Sequence, residues 1–252
     1  MKDFSVVPAE EIFVFHDLVD RGYSDDRISE EINTHAESYS ELIDDGEIDY
    51  ISAWHFTSHR LRESIENKGL KTRDDTNMPA QHLDAPSHED KVYFSTEDGY
   101  VNAGRGMTEK IGGMPIGFQA YLNPDNLVRD EDTSLMHDYS ESGLDQNSFY
   151  LISLATLGNM AHQGNIYPNQ DSAPPGESFI VDWKTYNEDG IRLPNFVLDQ
   201  FKSRIRAAER EKSSEDPSKI RNELELVRDN FDTQITFDEA RKLLNNQKGS
   251  LY

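Results

Sequence analysis

The 252-residue sequence contains no cysteine. That excludes disulfide frameworks, thiolate nucleophiles and thiolate metal sites, and it fits a reducing compartment. No apolar run approaches the length of a membrane span. The first dozen residues lack the basic start and apolar stretch of a secretory leader. A cytoplasmic protein without a membrane partner is the expectation. Positive charge is also scarce, with 25 Lys and Arg against 48 Asp and Glu, a net charge of −23. The imbalance is uneven: residues 1–50 hold 3 cations against 15 anions, whereas residues 197–252 hold 11 of each. Such a surface repels phosphate backbones and anionic membranes on average, which disfavours nonspecific nucleic-acid binding. Lys (11) and Arg (14) are used almost equally, so the acidity carries no halophile signature. Apolar residues make up only 35%, so much of the chain must be surface. The length still suffices for one large domain, or a medium domain with helical additions.

Apolar spacing and punctuation divide the chain into three parts: an acidic helical segment at 1–47, a mixed domain at 48–195, and charged helices at 196–252. Residues 8–46 read as helical, with a break at Gly22-Tyr23-Ser24, where Ser24 can cap a second helix. A further short helix is expected over Ser38 to Ile43. The stretch Leu18 to Ile32 has the outline of a helix-turn-helix, but a segment of charge −12 is pushed off DNA, so an ordinary helical hairpin is the better reading. From Ile48 the pattern turns β-prone and aromatic. Tyr50 to Phe56, Lys91 to Ser95, Ile116 to Leu122 and Glu177 to Val181 read as four strands. Ser58 is placed to cap a helix that ends at Gly69 in a left-handed C-cap. Residues 71–90 read as a loop, Asp98 to Met107 as a short helix and 133–165 as mostly helical. Residues 195–211 and 217–246 read as two further helices.

Three of these pieces carry chemistry-bearing residues: Trp54-His55-Phe56-Thr57 ahead of Lys68-Gly69-Leu70; Val92-Tyr93-Phe94-Ser95 followed by Tyr100; and Gly176-Glu177-Ser178 opening a late strand. Taken singly, each is as readily a packed or solvated residue as a functional one. In this order, over roughly residues 50–195, they resemble the His-Tyr-Glu branch of the ADP-ribosyltransferase superfamily. The chain departs from that pattern at Phe56, where the family often has Gly after the His, and at Lys91, where a Gly usually stands two before the Tyr. Glu141 and Glu188 compete with Glu177 for the acidic position.

The resemblance implies an α+β fold with a split, mostly antiparallel sheet and helical additions at both ends. It implies NAD as substrate and a macromolecular acceptor, protein or nucleic acid, for ADP-ribose. Breaking the bond between C1′ of the nicotinamide ribose and the ring nitrogen develops oxocarbenium-like charge. A carboxylate such as Glu177 suits that charge and the ribose 2′-OH, and it can also deprotonate the acceptor. The resemblance gives His55 the adenosine ribose, and Tyr93 and Tyr100 the nicotinamide ring. Phe56, Thr57 and Ser95 are further candidate contacts. Arg60 heads a basic island (Arg60, Arg62, Lys68, Lys71, Arg73) that reads either as a diphosphate contact or as a solvated helix face. This chemistry calls for no metal, and His82 and His88 lack ligand spacing. Three other readings stand beside transfer: an NAD glycohydrolase, an acidic interaction protein or DNA mimic built on residues 1–50, and a degenerate family member that binds NAD or ADP-ribose without turnover.

Overall fold

A computed structural model describes residues 4–79, 88–101, 103–131, 142–186, 190–210 and 215–248. The fold is α+β, as expected. Its spine is β2 (Tyr50–Ser58), in which every residue except His55 is buried. One edge of β2 pairs along its length with β4 (Pro115–Leu122), from Ile51↔Leu122 to Ser58↔Pro115, and β4 in turn pairs with β7 (Phe179–Thr185). The other edge is shared. β1 (Val6–Pro8) lies parallel to residues 50–52, and β3 (Lys91–Ser95) meets β2 at the single pair Trp54↔Ser95. Pro8 has no N–H to donate, and it hands the chain to α1 (Ala9–Ile12). β3 continues the sheet through β6 (Asn159–Gln163), which pairs with the short β5 (Leu127–Val128). The order β5-β6-β3-β2-β4-β7 is antiparallel throughout, and beyond Trp54 the sheet divides between β2 and β3.

Alternation puts Ile51 and Ala53 of β2 on one face with Leu122, Ala120, Phe118 and Ile116 of β4, all at 0% exposure. Fully burying a side chain of this size contributes about 1.5–3 kcal/mol. That face is covered by α7 (Phe149–Leu157), whose residues Tyr150 to Thr156 are all buried, as an apolar-all-round sequence requires. α2 (Phe15–Asp20) and α3 (Asp25–Asp44) follow α1, and Ser24 caps α3 by accepting from Arg27 N. α3 turns Ile28, Ile32 and Ala36 inward, a stripe at four-residue spacing, and leaves most of its acidic residues at the surface. It is one helix where a break before Ser38 was expected: Asn33 and Thr34 supply no glycine or proline, and Thr34 Oγ1 donates back to Glu30 O within the helix.

After β2 come a 3-10 turn (His59–Leu61) and α4 (Arg62–Lys68), then the one-turn α5 (Arg73–Thr76) inside the expected loop. A 3-10 turn (Glu97–Val101) and α6 (Ala103–Ile111) follow β3. The C-terminal part forms three helices, not two: α8 (Asn195–Glu209), α9 (Pro217–Asp229) and α10 (Phe237–Lys248). α8 and α9 pack around their own small cluster of Phe201, Ala208 and Ile220, whereas Ala240 and Leu244 of α10 join the main core. No helix among the described residues is long and apolar enough to cross a membrane.

Arg60 fixes this C-terminal part to the sheet. It is 7% exposed, donates from Nε to Thr233 O (3.1 Å) and from Nη1 to Ile111 O (2.5 Å), and lies 4.9 Å over the Phe231 ring. Its backbone carbonyl accepts from Ile235 N (2.7 Å). Arg60→Met leaves two carbonyls short of a donor, so a loss of about 2–3 kcal/mol is expected. Urea unfolding reads this directly; an unchanged midpoint would refute the anchoring role.

Candidate functional site

His55 stands where the sheet divides. It projects from the face of β2 that carries Ile51 and Ala53, and its ring lies 5.9 Å from that of Phe94, edge-on. Its Nδ1 is 3.0 Å from the Tyr93 carbonyl oxygen. A carbonyl only accepts, so Nδ1 carries the hydrogen and Nε2 is left as an acceptor in the neutral ring. Burial pushes the imidazole pKa down, against a smaller upward pull from the Tyr93 carbonyl. The ring is therefore neutral at pH 7, with the tautomer set by β3. Among the described residues Nε2 has no hydrogen-bond partner.

Tyr93 projects from the opposite face of β3 to Val92 and Phe94. Its hydroxyl donates to Glu131 Oε2 (2.8 Å) and accepts from His88 N (3.0 Å). Burial, then the hydrogen bond to Glu131, push its pKa well above the ordinary phenol range, so it remains a donor near neutrality. Lys91, two residues back on the same face, places Nζ 2.7 Å from Glu131 Oε1, and His88 Nε2 lies 3.2 Å from the same oxygen. Burial drives the Glu131 carboxyl up. The hydrogen bonds from Lys91, its own backbone and Tyr93, with the Lys91 charge, outweigh this and hold it below the ordinary range. Glu131 is thus an anion at neutral pH, with its side chain one-third exposed.

His55 meets the backbone carbonyl of Tyr93 at the divide, but its side chain shares the face of Phe94 and Thr57, whereas the Tyr93 and Ser95 side chains lie on the other face with Trp54 and Phe56. Ser95 packs so tightly under the following turn that a Cβ at Gly99 would sit 2.0 Å from its Oγ. Phe56 faces the other side, stacked on Trp54 (6.3 Å, 15°) and edge-on to Tyr186 (5.7 Å). Tyr100 belongs to the turn after β3, but its ring lies outside the described side chains, as do residues Glu141, Glu188 and His82. Arg60 does not face the divide; its guanidinium is committed to the carbonyls of Ile111 and Thr233.

Glu177 stands apart from His55 and Tyr93. It precedes β7, donates its N–H to Pro174 O, and lies near Tyr50, whose pKa is raised by burial and then by Asp49 and Glu177. At the level of His55, the β4 partner is Phe118 and the β7 partner is Trp183. Glu177 is six residues upstream of Trp183, roughly 20 Å by strand rise, just ahead of a strand two removed from β2. The late strand that does neighbour Tyr93 is β6. It opens with Asn159, paired to Ser95, where a carboxylate was sought. β6 was hidden because Asn-Met-Ala-His-Gln contains no β-branched or aromatic residue and follows a strongly apolar helix. Lys91 was legible as a same-face neighbour of Tyr93 by period-two spacing. Glu131, just beyond the two-residue β5, carries no sequence signal.

A second His pair is structural. His162 Nδ1–H donates to Gly164 O (3.3 Å), and its Nε2 accepts from Ser178 Oγ (2.8 Å), which itself accepts from Asn123 N. Both side chains are about 1% exposed, so no substrate reaches them. Burial, opposed by the Gly164 carbonyl, lowers the His162 pKa to about 4. An unfolded histidine titrates near 6.5, so below that pH the unfolded chain takes up a proton that the folded chain refuses. This contribution to stability is complete above about pH 6.5 and is lost as pH falls toward 4, amounting to about 3 kcal/mol. His162→Gln should blunt this acid dependence of the unfolding midpoint. An acid limb identical to that of the unmodified protein would contradict the assignment.

Comparison with family models, curated proteins and solved structures finds no match for this chain.

Proposed function

We propose that the protein binds NAD across the divide between β2 and β3 and transfers its ADP-ribose to a macromolecular acceptor. One observation carries the reading. His55 bridges the two strands through the Tyr93 backbone carbonyl (3.0 Å from Nδ1) and keeps Nε2 as an acceptor at the divide. A neutral imidazole with a fixed tautomer suits a ribose hydroxyl, which needs an acceptor for its hydrogen. A divided sheet also exposes strand edges at which a ligand amide can hydrogen-bond. The resemblance to the His-Tyr-Glu transferases, read from the order of His55 and Tyr93, points to the same ligand.

The experiment is calorimetric titration with NAD, then measurement of nicotinamide release with and without cell extract. Binding with extract-dependent release supports transfer; binding with release in buffer alone supports the glycohydrolase. Failure of NAD to bind at millimolar concentration would sink the reading.

A further inference from the structure

Residues 197–252 are neutral in sum, but their charges are not evenly mixed. Carboxylates are drawn into pairs between α8 and the chain that follows it. Glu215 and Glu223 both hold Arg204 (2.6 and 2.9 Å), and Glu209 holds Arg221 (2.7 Å). The side of α8 opposite buried Phe201 and Ala208 is left with Lys202, Arg206 and, at the C-cap, Arg210. Four-residue spacing sets these three cations in one row at steps of about 6 Å. All three are exposed. Among the described residues Arg206 and Arg210 have no ion-pair partner, and Lys202 meets Asp199 loosely, at 3.7 Å. An exposed pair of that kind contributes little and is readily exchanged. The row lines an open depression of about 460 Å³ together with Asp199, Ser203 and Ala207.

We infer that this face of α8 docks the phosphate backbone of a nucleic-acid duplex without reading its sequence. The inference goes beyond the NAD reading and does not depend on it. Neighbouring phosphates along a strand are separated by a step comparable to that between the cations. An arginine grips a phosphate through two N–H groups, and the Ser203 hydroxyl adds a donor. A protein partner fits less well. Ala207 is the one apolar residue among the described lining residues, whereas protein interfaces centre on apolar and aromatic groups. That lining also holds no aromatic ring on which an unstacked base could rest, which favours a duplex over a single strand. The net charge of −23 opposes the approach on average. Salt confines that opposition to short range, with a screening length of about 10 Å at 0.1 M, so a local row of cations can act against it.

The test is fluorescence anisotropy of short labelled DNA duplexes of two unrelated sequences, titrated with the full chain between about 50 and 200 mM salt. The unmodified protein should bind both duplexes alike. Arg206→Gln with Arg210→Gln should weaken binding roughly 10-fold or more and flatten the log–log salt dependence by about 2, with melting temperature unchanged. Lysine at both positions keeps the charge and should hold affinity within a few-fold. Arg21→Gln removes an exposed cation from the acidic N-terminal segment and should change nothing. Absence of duplex binding at the lowest salt overturns the inference, as does an unaltered affinity in the double glutamine variant. Equal weakening by Arg21→Gln would show an effect of net charge alone and also overturns it. Tighter binding of a single strand, or displacement of the duplex by poly-glutamate at equal charge, overturns the duplex assignment.

Discussion

On the proposed NAD reading, alanine at His55 is expected to weaken NAD binding by roughly 10- to 100-fold through loss of one well-placed hydrogen bond at a largely desolvated position. Two effects act together. The ligand loses the Nε2 acceptor, and the Tyr93 carbonyl loses the Nδ1–H donor that holds β3 against β2 at the divide. The second effect also lowers stability, by about 1–3 kcal/mol for a buried carbonyl left without a donor. A melting measurement on the same sample separates the two: affinity compared at a temperature where both proteins are fully folded isolates the ligand contact. Affinity unchanged in the folded variant would remove His55 from the site. The Nε2 acceptor also predicts a pH effect. The pKa of His55 is lowered by burial, so the neutral ring persists as pH falls below 6.5, and NAD affinity should hold through mildly acidic conditions and drop only when the ring is finally protonated.

Gly69→Ala is expected to cost about 4 kcal/mol or more, a large fraction of the roughly 5–15 kcal/mol that holds an ordinary domain folded. Gly69 caps α4 at φ +77°, where an L side chain is strained. The space is closed as well: a Cβ there would lie 1.9 Å from the Ile166 carbonyl oxygen, a backbone atom that no rotamer change can move. Relief requires residues 166–168 to shift, which breaks the Ile166 N to Leu70 O bond (2.9 Å) and disturbs the approach to β7, since Ile180 N donates to Tyr167 O. Denaturant unfolding or the soluble yield reads the effect. A variant within about 1 kcal/mol of the unmodified protein would show that this approach is looser than the geometry requires.

The same glycine shows what the sequence made legible. Gly69 follows a capped amphipathic run and reads as a C-cap without any tertiary knowledge. The strands β2, β3 and β4 were equally plain, because aromatic and β-branched residues crowd them. His55 and Tyr93 lie on those strands; His55 meets the Tyr93 backbone carbonyl, while the two side chains take opposite faces of the sheet, which order alone does not reveal. What stayed hidden depends on partners distant in sequence. β1 is three residues long and exists because the free half-edge of β2 accepts it. β6 has helix-compatible residues and is a strand because β3 and β5 flank it. Glu131 reaches Tyr93 across 38 residues, and nothing local marks it. Arg60 was visible as a cation, but its burial against Phe231 and two carbonyls, which removes it from any diphosphate, follows only from the fold.

Glu177 illustrates a different limit. It does precede a late strand, as the sequence indicated, but the sheet has two late strands, and only β6 neighbours Tyr93. Sequence order cannot distinguish an outer strand beside β4 from an inner strand beside β3. That choice is made by the pairing of the whole sheet.

The most direct test is a crystal structure of the protein with a hydrolysis-resistant NAD analogue. The account predicts ligand density along the divide between β2 and β3, with a ribose hydroxyl within hydrogen-bond distance of His55 Nε2. Density elsewhere, or an empty divide at saturating analogue, would contradict it.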